Sequence, residues 1–196
     1  MGTDDRELVA RLRVGEEEAF VELVERYHTR LIGLARQFVA GPAAAEDVVQ
    51  ETWLAVFRGI ERFEGRSSLR TWLFRICVNR ARSHGVQDHR FVPIGSGEAA
   101  ADPGWFGPDG RWATPPQHWA ELVDDRLEAT AVIDLVRAAI EALPGLQRVV
   151  VTLRDVEGLT GEEVRAVLSI SEGNQRVLLH RGRSAVRRAI AAAIDR

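Results

Sequence analysis

The last quarter of the chain carries three arginines and a histidine at a spacing that suits contact with nucleic acid. At about 100° per residue along a helix they share one face: Arg176, His180, Arg183 and Arg187. The opposite, packing face would carry Leu178, Gly182, Ala185 and Ala189. Guanidinium groups bind phosphates and guanine edges through paired hydrogen bonds. The pattern therefore predicts a helix that packs on one side and meets DNA on the other.

Two short helices joined by a tight turn would position that face. Thr160 and Glu163 have the spacing of a capping box, in which a hydroxyl and a carboxylate bind free backbone amides at a helix start. Ser171 is suited to cap the next helix in the same way. Together these signals predict a helix-turn-helix, whose second helix enters the major groove of DNA.

Further amphipathic helices are predicted upstream of this pair. Apolar residues recur at three- and four-residue steps over residues 20–38 and again from about 43 to 60. After a loop at residues 65–68, a third helix is predicted from about 69 to 83. The exposed side of this third helix would carry Arg75, Asn79, Arg80 and Arg82. Because no strand-like alternation appears, the predicted fold class is all-α.

The chain is expected to form two small helical domains, at residues 1–90 and 126–196. Residues 91–125 have the Pro- and Gly-rich composition of a linker. Four large aromatic side chains make this linker unusual: Trp105, Phe106, Trp112 and Trp119. Docking on the chain's own domains, docking on a partner and simple disorder all stay open for it. The helical pattern returns near residue 121 and continues to residue 143, where Pro144 and Gly145 break it, and a further helix is predicted from 146 to 156.

Charge is segregated along a chain whose formal net charge is −3. Residues 62–90 carry +5 and residues 172–196 carry +4, whereas residues 91–130 carry −5. Two separate basic blocks on an otherwise acidic chain suggest two nucleic-acid contacts.

Several classes of protein are disfavoured by composition. No apolar run approaches the roughly 20 residues that span a bilayer, and the N-terminus lacks a signal-peptide pattern, so a cytoplasmic protein is expected. Cys77 is the single cysteine, which excludes an internal disulfide, and we interpret it as a core residue. The five histidines form no ligand-spaced cluster, and no catalytic motif appears. We therefore expect no metal, no cofactor, no small-molecule substrate and no enzymatic activity.

The order of these features resembles the extracytoplasmic-function subgroup of the bacterial sigma-70 family, the dissociable subunits that direct RNA polymerase to promoters. The segments that carry the resemblance are residues 45–53, 63–82 and 159–183. A helix-turn-helix alone is weak evidence, but the three segments in this order are specific. The resemblance implies core RNA polymerase and promoter DNA as partners. Many relatives also bind an anti-sigma factor, a partner that this sequence does not decide.

The resemblance implies three sets of site residues. The second predicted helix would contact a coiled coil of the largest polymerase subunit through Asp47, Val49, Gln50, Glu51 and Trp53. The following loop and helix would hold the melted −10 strand through Phe63, Arg66, Ser67, Ser68, Arg75, Asn79, Arg80 and Arg82. The helix-turn-helix would read the −35 duplex through Ser171, Asn174, Gln175, Arg176, His180, Arg181, Arg183 and Arg187.

Alternatives remain at several points. The spacing of Trp72 with Leu69 and Leu73 favours core packing over base stacking, and the acidic face of the second helix is also consistent with plain solvation. The alternative function is a stand-alone regulator that binds operator DNA as a dimer. That alternative leaves the basic block at 62–90 unexplained.

Overall fold

The computed structural model describes residues 3–87 and 129–194, and every regular element in those ranges is helical. This confirms the all-α prediction. The predicted linker at 91–125 lies outside the described residues, as do its four aromatic side chains. The chain divides into two compact units, one formed by Met1–Gly95 with Leu159–Ile170 and the other by Ser96–Gly158 with Ser171–Arg196. The domain boundaries expected from sequence, 1–90 and 126–196, stay a prediction.

The first unit contains five of the described α-helices. They are α1 (Thr3–Arg13), α2 (Glu17–Ala35), α3 (Pro42–Gly59), α4 (Leu69–Gln87) and α7 (Gly161–Leu168). A 3-10 turn at Ile60–Arg62 follows α3. Helices α2, α3 and α4 pack on one another, α1 packs on α2, and α7 packs on α4.

Regular apolar spacing explains the core of the first unit. Each of its long helices buries a stripe at three- and four-residue steps, including Leu23 and Leu31 of α2, Val48 and Val56 of α3, and Leu69, Leu73 and Cys77 of α4. Gly41 precedes α3 with a φ of 83°, and Pro42 occupies the first helical position, where its missing N–H costs nothing. The helices expected at 20–38, 43–60 and 69–83 are therefore present, with ends shifted by a few residues.

Helix α1 was not predicted from the sequence. Leu8, Val9 and Leu12 of this helix are buried, and their spacing is that of one helix face. The segment is short, so its apolar signal consists of little more than these three residues. Its packing on α2 stabilises a helix that would be marginal in isolation.

The second unit contains the described helices α5 (Ala129–Glu141), α6 (Gly145–Val151) and α8 (Glu172–Ile194), with a π-helical turn at Thr152–Val156. Helix α8 packs on α5 and α6. Its buried apolar face is formed by Val177, Leu179, Gly182, Val186 and Ile190. The predicted packing face was therefore wrong at Ala189, which is exposed. The larger side chains at 179, 186 and 190 bury more apolar area and set the rotation of the helix.

Cys77 lies in the core of the first unit, as expected, where its Sγ donates to the Leu31 carbonyl at 3.7 Å. Burial raises the pKa of the Cys77 thiol to about 12. An unfolded chain loses this proton near the ordinary pKa of about 8.5, so the free energy of unfolding falls as pH rises between these values.

We expect iodoacetamide at pH 8.5 to alkylate Cys77 at least tenfold more slowly in the native chain than in the chain in denaturant, because only the thiolate reacts. Equal rates, measured by mass spectrometry, would contradict this burial.

Candidate functional site

Contacts within the first unit hold the loop between α3 and α4 in place. Phe63 is buried, with its ring centroid 4.9 Å from that of Trp72, and the Arg13 guanidinium donates to the Phe63 carbonyl. Trp72 therefore packs within the protein, as favoured from its spacing. Arg66 is well exposed and lies 2.6 Å from Glu64. Of the predicted −10 residues in this loop, Arg66 exposes its side chain to solvent, whereas the Phe63 side chain is buried and packs against Trp72.

Ser68 starts α4. Its Oγ accepts the backbone N–H of Thr71 at 3.1 Å, which makes it the cap of the helix. The Ser68 and Thr71 hydroxyls lie 2.7 Å apart, and the neighbouring Ser67 is half-buried. Ser67 and Ser68 were predicted as site residues from the sequence, whereas Thr71 was not. The Ser-x-x-Thr spacing at a helix start was the available signal.

The outer face of α4 is cationic. Arg75, Asn79 and Arg80 are exposed, in agreement with the predicted face. Arg82 is half-buried, and this burial lowers the pKa of its guanidinium below the ordinary value. A partly desolvated cation needs a hydrogen-bond acceptor, and Arg82 Nη2 donates to the Leu168 carbonyl at 2.7 Å.

The predicted polymerase-contacting residues of α3 divide between surface and core. Asp47 and Gln50 are exposed, whereas Val49 is fully buried, so any contribution of its side chain to a contact is indirect. Trp53 is half-buried and donates its indole N–H to His28 Nδ1 at 3.4 Å. Its ring meets that of Phe20 edge-on, with centroids 6.0 Å apart.

Glu51 links the acidic face of α3 to the cationic face of α4. One carboxylate oxygen lies 3.0 Å from His84 Nε2, and the other lies 3.9 Å from Arg80 Nη1. Nothing in the local pattern of either helix indicated this pairing. A substitution at Glu51 therefore perturbs α4 as well as the face of α3.

An apolar patch borders this face and was not expected from the sequence. Phe57 falls within the apolar repeat of α3 but is 68% exposed, and Leu54 is 54% exposed. Phe57 also lines a pocket of about 300 Å³ with Leu12, Phe20 and Ile60. Apolar anchors beside exposed carboxylates are typical of a protein-binding surface.

In the second unit, the start of α8 is capped as predicted. Ser171 Oγ accepts the backbone N–H of Asn174 at 3.2 Å. Asn174 is half-buried, and Gln175 is only 4% exposed. Arg176 is about one-third exposed and lies 3.8 Å from Glu172, one turn earlier on α8. Of these predicted −35 residues, Arg176 is better placed than Gln175 to reach a base edge.

His180 and Arg183 lie further along α8 in different surroundings. Burial, together with the charges of Arg187 and Arg181, lowers the pKa of His180 below its ordinary value. Its imidazole is therefore neutral at pH 7 and offers one donor and one acceptor. Arg183 donates through Nε and Nη2 to Asp155 at 2.9 and 2.5 Å. Arg183 thus joins α8 to the π-helical turn, a role that sequence spacing did not indicate. Arg181 is exposed and Arg187 half-buried.

The capping box predicted for α7 is confirmed. The Thr160 hydroxyl accepts the N–H of Glu163 at 3.2 Å, and the Glu163 carboxylate accepts the N–H of Thr160 at 2.9 Å. No helix within residues 3–87 and 129–194 is long and apolar enough to cross a membrane. Across the same described residues, no three His, Cys, Asp or Glu side chains are grouped so as to hold a metal ion.

Comparisons with known proteins agree on one family. A family model for Sigma-70 region 2 matches residues 23–90, and one for Sigma-70 region 4 matches residues 133–186. The RNA polymerase sigma-H factor of Pseudomonas aeruginosa is 33% identical over 186 residues, covering 95% of this chain and 93% of that protein. The ECF RNA polymerase sigma-E factor of Escherichia coli K12 is 31% identical over 183 residues, covering 93% of this chain and 92% of that protein.

Two solved structures share the fold. CnrH, in complex with the cytosolic domain of CnrY, matches with a TM-score of 0.59 at 24% identity, covering 96% of this chain and 97% of that one. RpoE of Bartonella quintana, in complex with the anti-sigma factor NepR, matches with a TM-score of 0.57 at 20% identity, covering 88% and 96%. Identity above 30% over nearly the whole of both curated relatives makes the assignment: the chain belongs to the extracytoplasmic-function group of the sigma-70 family of RNA polymerase sigma factors.

Proposed function

We propose that this sigma factor docks on core RNA polymerase through α3, holds the melted −10 strand on α4 and reads the −35 duplex with α8. It acts in the cytoplasm, where the polymerase works, and performs no catalytic step of its own. An anti-sigma factor is a further candidate partner, because RpoE of Bartonella quintana was solved with one.

One observation carries this proposal. The packed helices α3 and α4 expose opposite charges, with Glu46 and Asp47 on α3 and Arg75 and Arg80 on α4. Basic protein surfaces complement the acidic face, and nucleic acid complements the cationic face. Such a unit is suited to join a polymerase to a DNA strand.

The chemistry of α4 fits a melted strand. Flipping a base out of a duplex costs a few kcal/mol of unstacking, which a protein without ATP must offset by binding the exposed strand. Arg75 and Arg80 are placed to follow its phosphates, and Asn79 offers both donors and acceptors to base edges. Arg66 extends the cationic surface into the preceding loop.

Run-off transcription with purified bacterial core polymerase on a genomic promoter library tests the proposal. We expect promoter-specific transcripts from the wild-type chain. Asp47→Arg should raise about tenfold the concentration of this sigma factor that gives half-maximal transcription at fixed core polymerase, because it places a positive charge against a basic partner. Asp47 is preferred to Glu51 for this test, since Glu51 also contacts His84.

Glu25→Arg is the matched control, because Glu25 is an exposed carboxylate of α2 and undergoes the same change of charge. Glu25→Arg should leave the concentration for half-maximal transcription unchanged. Circular dichroism would verify that both variants fold. Tight, operator-like DNA binding by the free chain without transcripts in the presence of core would favour the stand-alone regulator instead.

A further inference from the structure

The carboxylate of Glu163 joins α7 to the start of α4. Its Oε1 accepts hydrogen bonds from the Thr71 hydroxyl at 2.7 Å and from the Ser68 hydroxyl at 3.1 Å. Its Oε2 accepts the backbone N–H of Thr160 at 2.9 Å. Glu163 therefore completes the capping box of its own helix with one oxygen and binds α4 with the other.

The charge state of Glu163 strengthens this link. Burial acts to raise the pKa of its carboxyl, but hydrogen bonds from Thr160, Thr71 and Ser68 outweigh that effect and hold the pKa below its ordinary value. The group is ionised at neutral pH. Its two hydrogen bonds to α4 are thus charge-assisted, a class about twice as strong as neutral hydrogen bonds.

A second polar contact holds the other end of α7. Arg82 donates to the carbonyl of Leu168, the last residue of the helix, at 2.7 Å. Carbonyls in the last turn of a helix have no partner within the helix. Between the two polar contacts, Val164, Val167 and Leu168 are fully buried at the spacing of one face. Helix α7 is therefore fixed to α4 at both ends.

The side chains that hold α7 overlap with those proposed to hold the −10 strand. Ser68 and Arg82 belong to that set, and both donate here to oxygen acceptors of α7. Phosphates and base carbonyls present the same acceptor chemistry. A serine hydroxyl has one proton to donate, so Ser68 cannot serve Glu163 and a nucleotide at the same time.

We propose that α7 covers, within the same chain, the surface of α4 that binds the −10 strand. The promoter strand then competes with α7 for Ser68 and Arg82. This inference rests on the proposed function, because it requires that α4 binds the −10 strand. In the absence of core polymerase, the chain then binds single-stranded DNA more weakly than it would if α7 did not cover α4. Since α7 is the first helix of the predicted helix-turn-helix, its release also frees an element that the −35 contact uses.

Glu163→Gln separates the contact from the folding of α7. Glutamine serves at this position of a capping box as glutamate does, so the bond to Thr160 is retained while the charged acceptor for α4 is lost. Glu162→Gln is the matched control, because it removes the same charge from the exposed neighbouring position. Thr71→Val tests the contact from the α4 side with no change of charge, and Thr71 lies outside the proposed −10 set.

The probe is a fluorescein-labelled single strand that carries the non-template −10 sequence of a promoter found by run-off transcription. We expect Glu163→Gln and Thr71→Val to bind it about fivefold more tightly than wild type, as the loss of a competing charge-assisted contact implies. Glu162→Gln should bind as wild type does. In hydrogen exchange, addition of the strand to wild-type chain should raise deuterium uptake in residues 159–170.

The outcomes distinguish this inference from the proposed function. A wild-type chain that yields no run-off transcripts overturns the proposed function, and the inference with it. If transcripts form but neither variant tightens strand binding, the proposed function stands and the competition is rejected. A strand that binds while residues 159–170 stay protected also rejects it. If Glu163→Gln fails to fold, as judged by circular dichroism, Thr71→Val decides the question.

Discussion

Gly182→Ala should destabilise the second unit by about 2 kcal/mol, although the same change usually stabilises a helix. In an open helical position, alanine gains up to about 1 kcal/mol over glycine. A Cβ at Gly182 would lie 2.5 Å from Val151 Cγ2 and 3.4 Å from the Gln147 carbonyl. Val151 is buried and β-branched, so it has little freedom to rotate away. Overpacking of this kind typically costs about 1–3 kcal/mol.

Thermal unfolding followed by circular dichroism measures this effect. The melting temperature should fall by roughly 10 °C for a unit of this size. Gly173→Ala, in the same helix with no atom within 4 Å of its added Cβ, should be neutral or stabilising. Adding Val151→Ala to Gly182→Ala should recover part of the loss beyond additivity, because it opens the space that the new methyl needs. A melting temperature for Gly182→Ala at or above that of wild type would show that α8 does not pack this closely.

Much of the helical content was readable from local signals. Apolar residues at three- and four-residue steps predicted α2, α3 and α4, and the capping residues Thr160 and Ser171 marked the starts of α7 and α8. These signals act within one or two helical turns. They are therefore visible in the sequence whatever the tertiary arrangement.

The rotation of α8 was less readable, because it depends on what the helix packs against. Helical projection correctly placed Gly182 on the packing face but misassigned Ala189. Alanine is compatible with either face, so the neighbouring large residues decide the rotation. Leu179, Val186 and Ile190 bury the larger area. Helix α1 was not predicted because the segment is short and has few apolar residues to show a helical period.

The polar contacts of the site were the least readable part. Glu163 was predicted as a capping residue, but its second oxygen binds Ser68 and Thr71, more than 90 positions earlier in the chain. Arg183 was predicted to face DNA, which stays a prediction, and the structure adds a two-point ion pair with Asp155 that the sequence did not indicate. Both pairings depend on tertiary placement, which the period of a helix does not encode. A candidate DNA-binding arginine therefore has to be judged by its partners as well as by its helix face.

Arg176→Ala should relax base discrimination at one position of the −35 element while leaving the binding of core polymerase intact. The guanidinium lies in the first turns of α8, where side chains of a recognition helix reach base edges. A good two-point contact with a base discriminates by about 1–3 kcal/mol. Arg176 keeps about a third of its side chain exposed at this end of the helix, 3.8 Å from Glu172.

Arg188→Ala is the matched control for Arg176→Ala, because it removes an exposed arginine from the same helix nearer its C-terminal end. A phosphate contact carries no sequence information, so this variant should weaken holoenzyme binding equally on all sequences and lower the salt slope by about one unit. The measurement is holoenzyme binding to a set of promoters with each −35 base changed in turn, at several salt concentrations. A uniform loss of affinity in Arg176→Ala, with discrimination preserved at every position, would assign Arg176 to a phosphate and move base reading elsewhere on α8.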